Sequence, residues 1–98
     1  MRIVRRHNTT KQQARVTLDA ELPALLSRFG NDVSNVATSW SDSAMEFSFR
    51  ARGFSFRGTL EVTDAQFILD VGVPLLARPF QGRVETEIQE WVDDIFGP

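Results

Sequence analysis

The sequence has no cysteine, which excludes disulfides and thiolate metal sites and makes a reducing compartment the default expectation. No apolar run approaches the roughly 20 residues that a membrane-spanning helix needs. The opening Met1-Arg2-Ile3-Val4-Arg5-Arg6 lacks the apolar stretch of a secretory signal. His7 is the single histidine, and no spacing supplies the third group that a Ser–His pair needs to orient its imidazole. The carboxylates show no calcium-loop spacing, and the six glycines form no phosphate-cradling loop. These absences lead us to expect a soluble, cytoplasmic protein with no catalytic site, no cofactor, no metal and no integral membrane association.

What is present suits a single α+β domain over residues 1–98. Hydrophobic residues make up 42% and charged residues 24%, too apolar for disorder. Net charge is −2 but unevenly placed: the first fifteen residues carry Arg2, Arg5, Arg6, Lys11 and Arg15 without an acid. From Glu85 onward come Glu87, Glu90, Asp93 and Asp94 without a base. Such a split suits a nucleic-acid arm or an acidic docking face, or simply two ends that lie together or solvate opposite faces. Neither cluster is a block of five or six consecutive charges, which favours the plainer readings.

Residues 2–6 read as a short strand, and Thr10 with Gln13 fits a capping box opening a helix. Leu18, Leu22, Leu25, Leu26 and Phe29 share one helical face, with Gly30 as the left-handed stop. Pro23 lies inside that pattern and predicts a kink or break. Four period-two segments follow, with apolar sets Val36/Thr38/Trp40, Met45/Phe47/Phe49/Ala51, Phe54/Phe56/Gly58/Leu60/Val62 and Phe67/Leu69/Val71/Val73. A one-residue slip would turn a whole set to water, so loop parity fixes the register. It pairs Trp40 with Met45, Phe49 with Phe56, Phe47 with Gly58, Leu60 with Leu69 and Val62 with Phe67. At Gly58 the missing side chain lets the Phe47 ring lie over the backbone. The expected architecture is β-α-β-β-β-β-α, an antiparallel meander with helices packed on one face. A last helix over 79–96 covers the apolar side, burying Phe80, Val84, Ile88, Trp91, Val92 and Ile95, with Pro79 in its first turn.

The wet sheet face offers Arg50 and Arg57 without an aromatic platform, so nucleic acid is not an expected partner. That face is also rich in small residues, which suits solvation or packing against a second copy. The stretch from Val73 to Phe80 is read in two ways. Its leucines plug the end of the core, or Leu75, Leu76, Arg78 and Phe80 form an exposed patch that touches a partner.

Gly58-Thr59-Leu60-Glu61-Val62, Pro79-Phe80, Gly82-Arg83-Val84-Glu85 and Glu87-Ile88 resemble the polyhydroxyalkanoic acid system family, small bacterial proteins associated with polyester-storage genes. Arg5 to His7 is similar to that family's opening, while Asn31 to Ser43 is less typical. The resemblance implies an association with polyhydroxyalkanoate granules or their proteins and no known reaction. It singles out Gly82 and Arg83. From the residues alone, Gly82 permits close approach of helix and sheet, and Arg83 is one turn from Glu87. The leading expectation is a non-enzymatic accessory protein that binds a granule surface or granule protein. The candidate contact residues are Leu75, Leu76, Arg78, Phe80, Arg83, Arg50 and Arg57. Two alternatives are a small hydrophobic-ligand carrier of reduced helix-grip type, which needs a cavity of a few hundred Å3, and a homo-oligomer pairing through sheet faces or edges.

Overall fold

Ile3 and Val4 among arginines form a short strand, β1 (Arg2–Arg6), in the computed structural model, which describes residues 1–29 and 32–97. Thr10 caps the helix α1 (Lys11–Ser27), its Oγ1 accepting from the Gln13 N–H at 3.1 Å. Only that half of the capping box forms, because the Gln13 amide donates instead to Thr17 Oγ1 at 3.4 Å. Of the kink or break expected at Pro23, the break is absent: α1 continues through it. The proline is exposed, so the carbonyl it deprives of a donor lies on the watered side, and packing of the opposite face holds the helix together. Gly30, the expected stop, lies outside the described residues.

The alternating segments become β2 (Val33–Trp40), β3 (Ala44–Ala51), β4 (Phe54–Val62) and β5 (Gln66–Gly72). Every pair that loop parity specified is present: Trp40 with Met45, Phe49 with Phe56, Phe47 with Gly58, Leu60 with Leu69 and Val62 with Phe67. β1 adds a fifth strand beside β5, antiparallel, with Ile3 opposite Leu69, and the sheet order is β1-β5-β4-β3-β2. The register of β2 shifts between Ser34 and Ala37, where Asn35 takes a φ of 53. Asparagine tolerates that left-handed conformation. This bulge on one edge and the arginines on the other blunt strand-to-strand pairing with a second copy.

Both helices pack on one face of the sheet. Leu18 of α1, Phe67 of β5 and, from the last helix α2 (Gln81–Phe96), Val92 are among the largest fully buried side chains. α2 starts at Gln81 rather than Pro79, because Leu75–Phe80 winds as a separate 3-10 turn. Its tighter pitch of about three residues per turn rotates Phe80 off the α2 stripe. Phe80 is consequently 45% exposed and not part of the core, whereas of the rest of the expected stripe Ile88, Trp91 and Val92 are buried and Val84 and Ile95 are half-buried against it.

The basic start and acidic end of the chain do meet. Arg5 pairs with Asp93 at 2.7 Å and donates to Gln89 at 2.8 Å, tying β1 to α2. Arg28, just past α1, faces Glu87 and Glu90 at 3.6 Å each and also pairs with Asp94. Glu87 is thus taken by Arg28 of the other helix and not by Arg83. Replacing Arg28 with alanine should cost about 1 kcal/mol at low ionic strength. At about 1 M salt, where charges are screened within roughly 3 Å, most of that difference should vanish. Chemical denaturation by urea at both salts measures it, and an equal loss at both would assign Arg28 a packing role instead.

Candidate docking surface and apolar cavity

His7 is buried and tied into the fold. The Thr63 carbonyl, 2.7 Å from Nε2, can only accept, so Nε2 carries the proton. Nδ1 then accepts from the Thr9 N–H at 3.4 Å, and the ring sits 6.2 Å from that of Phe96. Both nitrogens are occupied in joining β1, the turn before β5 and the end of α2. Among the described residues no group of three or more His, Asp or Glu side chains is placed to hold a metal ion. Glu87, Glu90 and Asp94 converge, but on the Arg28 guanidinium.

The candidate contact residues divide into two groups. Leu75, Leu76, Arg78 and Phe80 lie on the 3-10 turn, and Arg83 follows in the first turn of α2. Ala77 is the residue that plugs the core here, being 1% exposed, and its N–H donates to the Pro74 carbonyl at 2.9 Å. Anchored by it, the two leucines point outward at 73% and 77% exposure. The leucines therefore do not plug the end of the core, as one sequence reading of this corner had them, but are exposed. Gly82 has no neighbour within 4 Å of where a Cβ would stand, so it does not serve close helix-to-sheet approach.

Arg50 and Arg57, the second group, are exposed on the outer sheet face, away from α2. They belong to the end of β3 and the start of β4, and Arg57 pairs with Gly72, three residues before the leucine turn begins. All the candidate residues therefore share one end of the molecule, though not one face. None of Arg50, Arg57, Arg78 and Arg83 forms an ion pair among the described residues. The outer face itself holds a broad, open depression of about 720 Å3 between Ala37, Ser39, Ser48, Thr59 and Gly72.

Between the helices and the sheet lies a second space, about 120 Å3, whose wall presents only apolar atoms. It is smaller than the few hundred Å3 expected for a helix-grip carrier. Leu18, Leu60 and Phe67 form its buried floor, while Leu25, Phe29, Val33, Ala51 and Val84 around it are half-buried. Leu22 and Leu26 of α1 and Val36, Thr38 and Trp40 of the edge strand β2 line it as well, Val36 and Thr38 being exposed. Sequence reasoning missed one residue at the end of the sheet, Arg52 of the β3–β4 turn. It pairs with Asp32 at 3.2 Å and lies 5.5 Å from the Phe80 ring centroid. The available signal was an arginine at the first position of a two-residue hairpin loop, where asparagine or glycine is usual.

No helix among the described residues is long and apolar enough to cross a membrane. No curated protein and no solved structure matches the chain. A family model does, over residues 1–96, and the chain belongs to the family of polyhydroxyalkanoic acid system proteins, PHA_gran_rgn.

Proposed function

We propose that this protein is a non-enzymatic accessory of polyhydroxyalkanoate storage that docks on the granule surface or on a granule protein. The observation that carries the reading is the pair Leu75 and Leu76, 73% and 77% exposed on a turn pinned by buried Ala77. Two adjacent leucines held rigidly in water are a poor use of apolar surface unless something covers them. Around them stand Arg78 and Arg83, with Arg50 and Arg57 at the same end of the sheet. Exposed leucines with Arg78 and Arg83 close by in the chain fit an apolar surface that carries negative charge, the combination by which peripheral proteins hold such interfaces. The helix face that packs on the sheet is committed to the core and contributes nothing to this contact.

The test is the double substitution Leu75→Asp and Leu76→Asp in cells accumulating the polymer. Both side chains are exposed, so the melting temperature should shift little, within the about 0.5 kcal/mol typical of surface changes. The fraction of tagged protein sedimenting with granules should fall several-fold. Wild-type protein found wholly in the supernatant, with no granule protein captured by crosslinking, would sink the proposal.

A further inference from the structure

α1 and β2 face each other across the apolar cavity without closing on it. The sheet order puts β2 at an edge, and its residues Val36 and Thr38 are exposed although they line the cavity. On the α1 side, Leu22 and Leu26 line it too and are only half-buried. The gap between the two elements is thus a slot, open to water along β2 and leading inward to the buried Leu60, Phe67 and Ile88.

A clasp fixes one end of the slot. Trp40, the last residue of β2, donates from Nε1 to Asp19 of α1 at 3.1 Å, and the Arg15 guanidinium lies 4.7 Å from its ring centroid. Arg15 and Asp19 are one turn apart on α1, so both reach the same indole. Both charges at that end are therefore already engaged. Arg28, further along α1, is taken by the carboxylates of α2. Among the described residues that line the slot, none is charged.

We infer that this slot takes the unbranched alkyl chain of a neutral molecule, which enters between α1 and β2 and leaves its polar end at the β2 edge. The wall presents only apolar atoms, so the inserted part must be hydrocarbon, because an unpaired polar group there is costly. A closed apolar cavity of about 150 Å3 takes up benzene. At about 120 Å3, the slot has room for a chain of about four to six carbons on that scale. Its lining extends from Val36 on β2 to Val71 on β5 and Val84 on α2. So wide a spread for so small a volume suits a narrow chain better than a ring. At the mouth a carboxylate or an ammonium would find no counter-charge. A hydroxyl or ester oxygen, by contrast, meets the Thr38 hydroxyl and the outward backbone groups of an edge strand. By class, the ligand is an alkyl alcohol or alkyl ester. The slot uses none of the leucine-turn residues, so this inference stands apart from granule docking.

Trp40 and Trp91, the two tryptophans of the chain, both line the slot, so a bromine carried into it quenches their emission. The experiment titrates the full chain with hexanol brominated at its chain end, then competes this probe with hexanol, hexanoate and hexylamine. Quenching should saturate and be reversed by hexanol, with hexanoate and hexylamine each at least about fivefold weaker as competitors. Val36→Lys places a cation at the mouth, on a side chain that is exposed. It should narrow the gap between hexanoate and hexanol to less than about twofold and widen the gap for hexylamine. Quenching that rises without saturating, or that hexanol does not relieve, would overturn the inference. So would hexanoate competing as well as hexanol against the wild type, or a Val36→Lys variant, folded by its far-ultraviolet spectrum, that keeps the wild-type ratios.

Discussion

Replacing Trp91 with alanine is expected to cost about 3–5 kcal/mol, the range for emptying a core aromatic site. The ring is 5% exposed, and its Nε1–H donates to the Glu21 carbonyl of α1 at 3.2 Å. Trp91 also lines the apolar cavity, so truncation would enlarge a void that already exists instead of letting the neighbours collapse. Against a total stability of about 5–15 kcal/mol for a domain this size, the variant should be near its unfolding threshold at room temperature. Urea denaturation reads the loss as a drop in midpoint at unchanged slope. Trp91→Phe separates the two contributions: it keeps most of the packing and loses the hydrogen bond, for about 1 kcal/mol from the bond itself. A midpoint for Trp91→Ala within error of the wild type would mean that α2 does not seat as described.

The second large effect is expected at Gly58, from the smallest change available. A Cβ there would stand 2.4 Å from the Asp70 carbonyl oxygen and 2.5 Å from Cζ of Phe47. Phe47 can turn aside, but the oxygen belongs to the backbone of β5, so β4 and β5 would have to part. Gly58→Ala should therefore cost about 2–3 kcal/mol, the upper range for overpacking. At about 4–8 °C per kcal/mol, the melting temperature should fall by about 10–20 °C. Combining it with Phe47→Leu should recover only a minor part of the loss. Full recovery by that double variant would show that the ring, and not the strand spacing, sets the requirement for glycine.

Gly58 was legible in the sequence for the same reason that the sheet was. A period of two across four segments, with loops of fixed parity, leaves one register that buries every apolar set, and Gly58 falls opposite Phe47 in it. What was not legible depends on contacts between distant segments. Proline at position 79 fits the first turn of an α-helix and fits a 3-10 turn equally well. The four-residue spacing of Phe80 and Val84 therefore pointed to one helix where there are two elements. Arg83 and Glu87 satisfy the local pairing rule, but Arg28 lies nearer Glu87 and approaches from another helix. Of the proposed contact residues, the leucines were visible as a run. Their exposure was not, because it rests on Ala77 being the residue that turns inward. Arg52 escaped notice altogether: in the chain it marks a turn, and its reach toward Asp32 and Phe80 exists only once the hairpin and α2 are in place.

The position of β1 in the sheet sets an order of events as the chain leaves the ribosome. β2 through β5 are joined by tight turns, and each can pair with its neighbour as soon as that neighbour emerges. β1 and α1 are made first, yet β1 finds its hydrogen-bonding partner only when β5 appears, with Ile3 waiting for Leu69. Closing that long loop carries an entropic cost that the local hairpins do not. Of the five strands β1 therefore waits longest for its partner, and until β5 is present Ile3 has no strand to pair with.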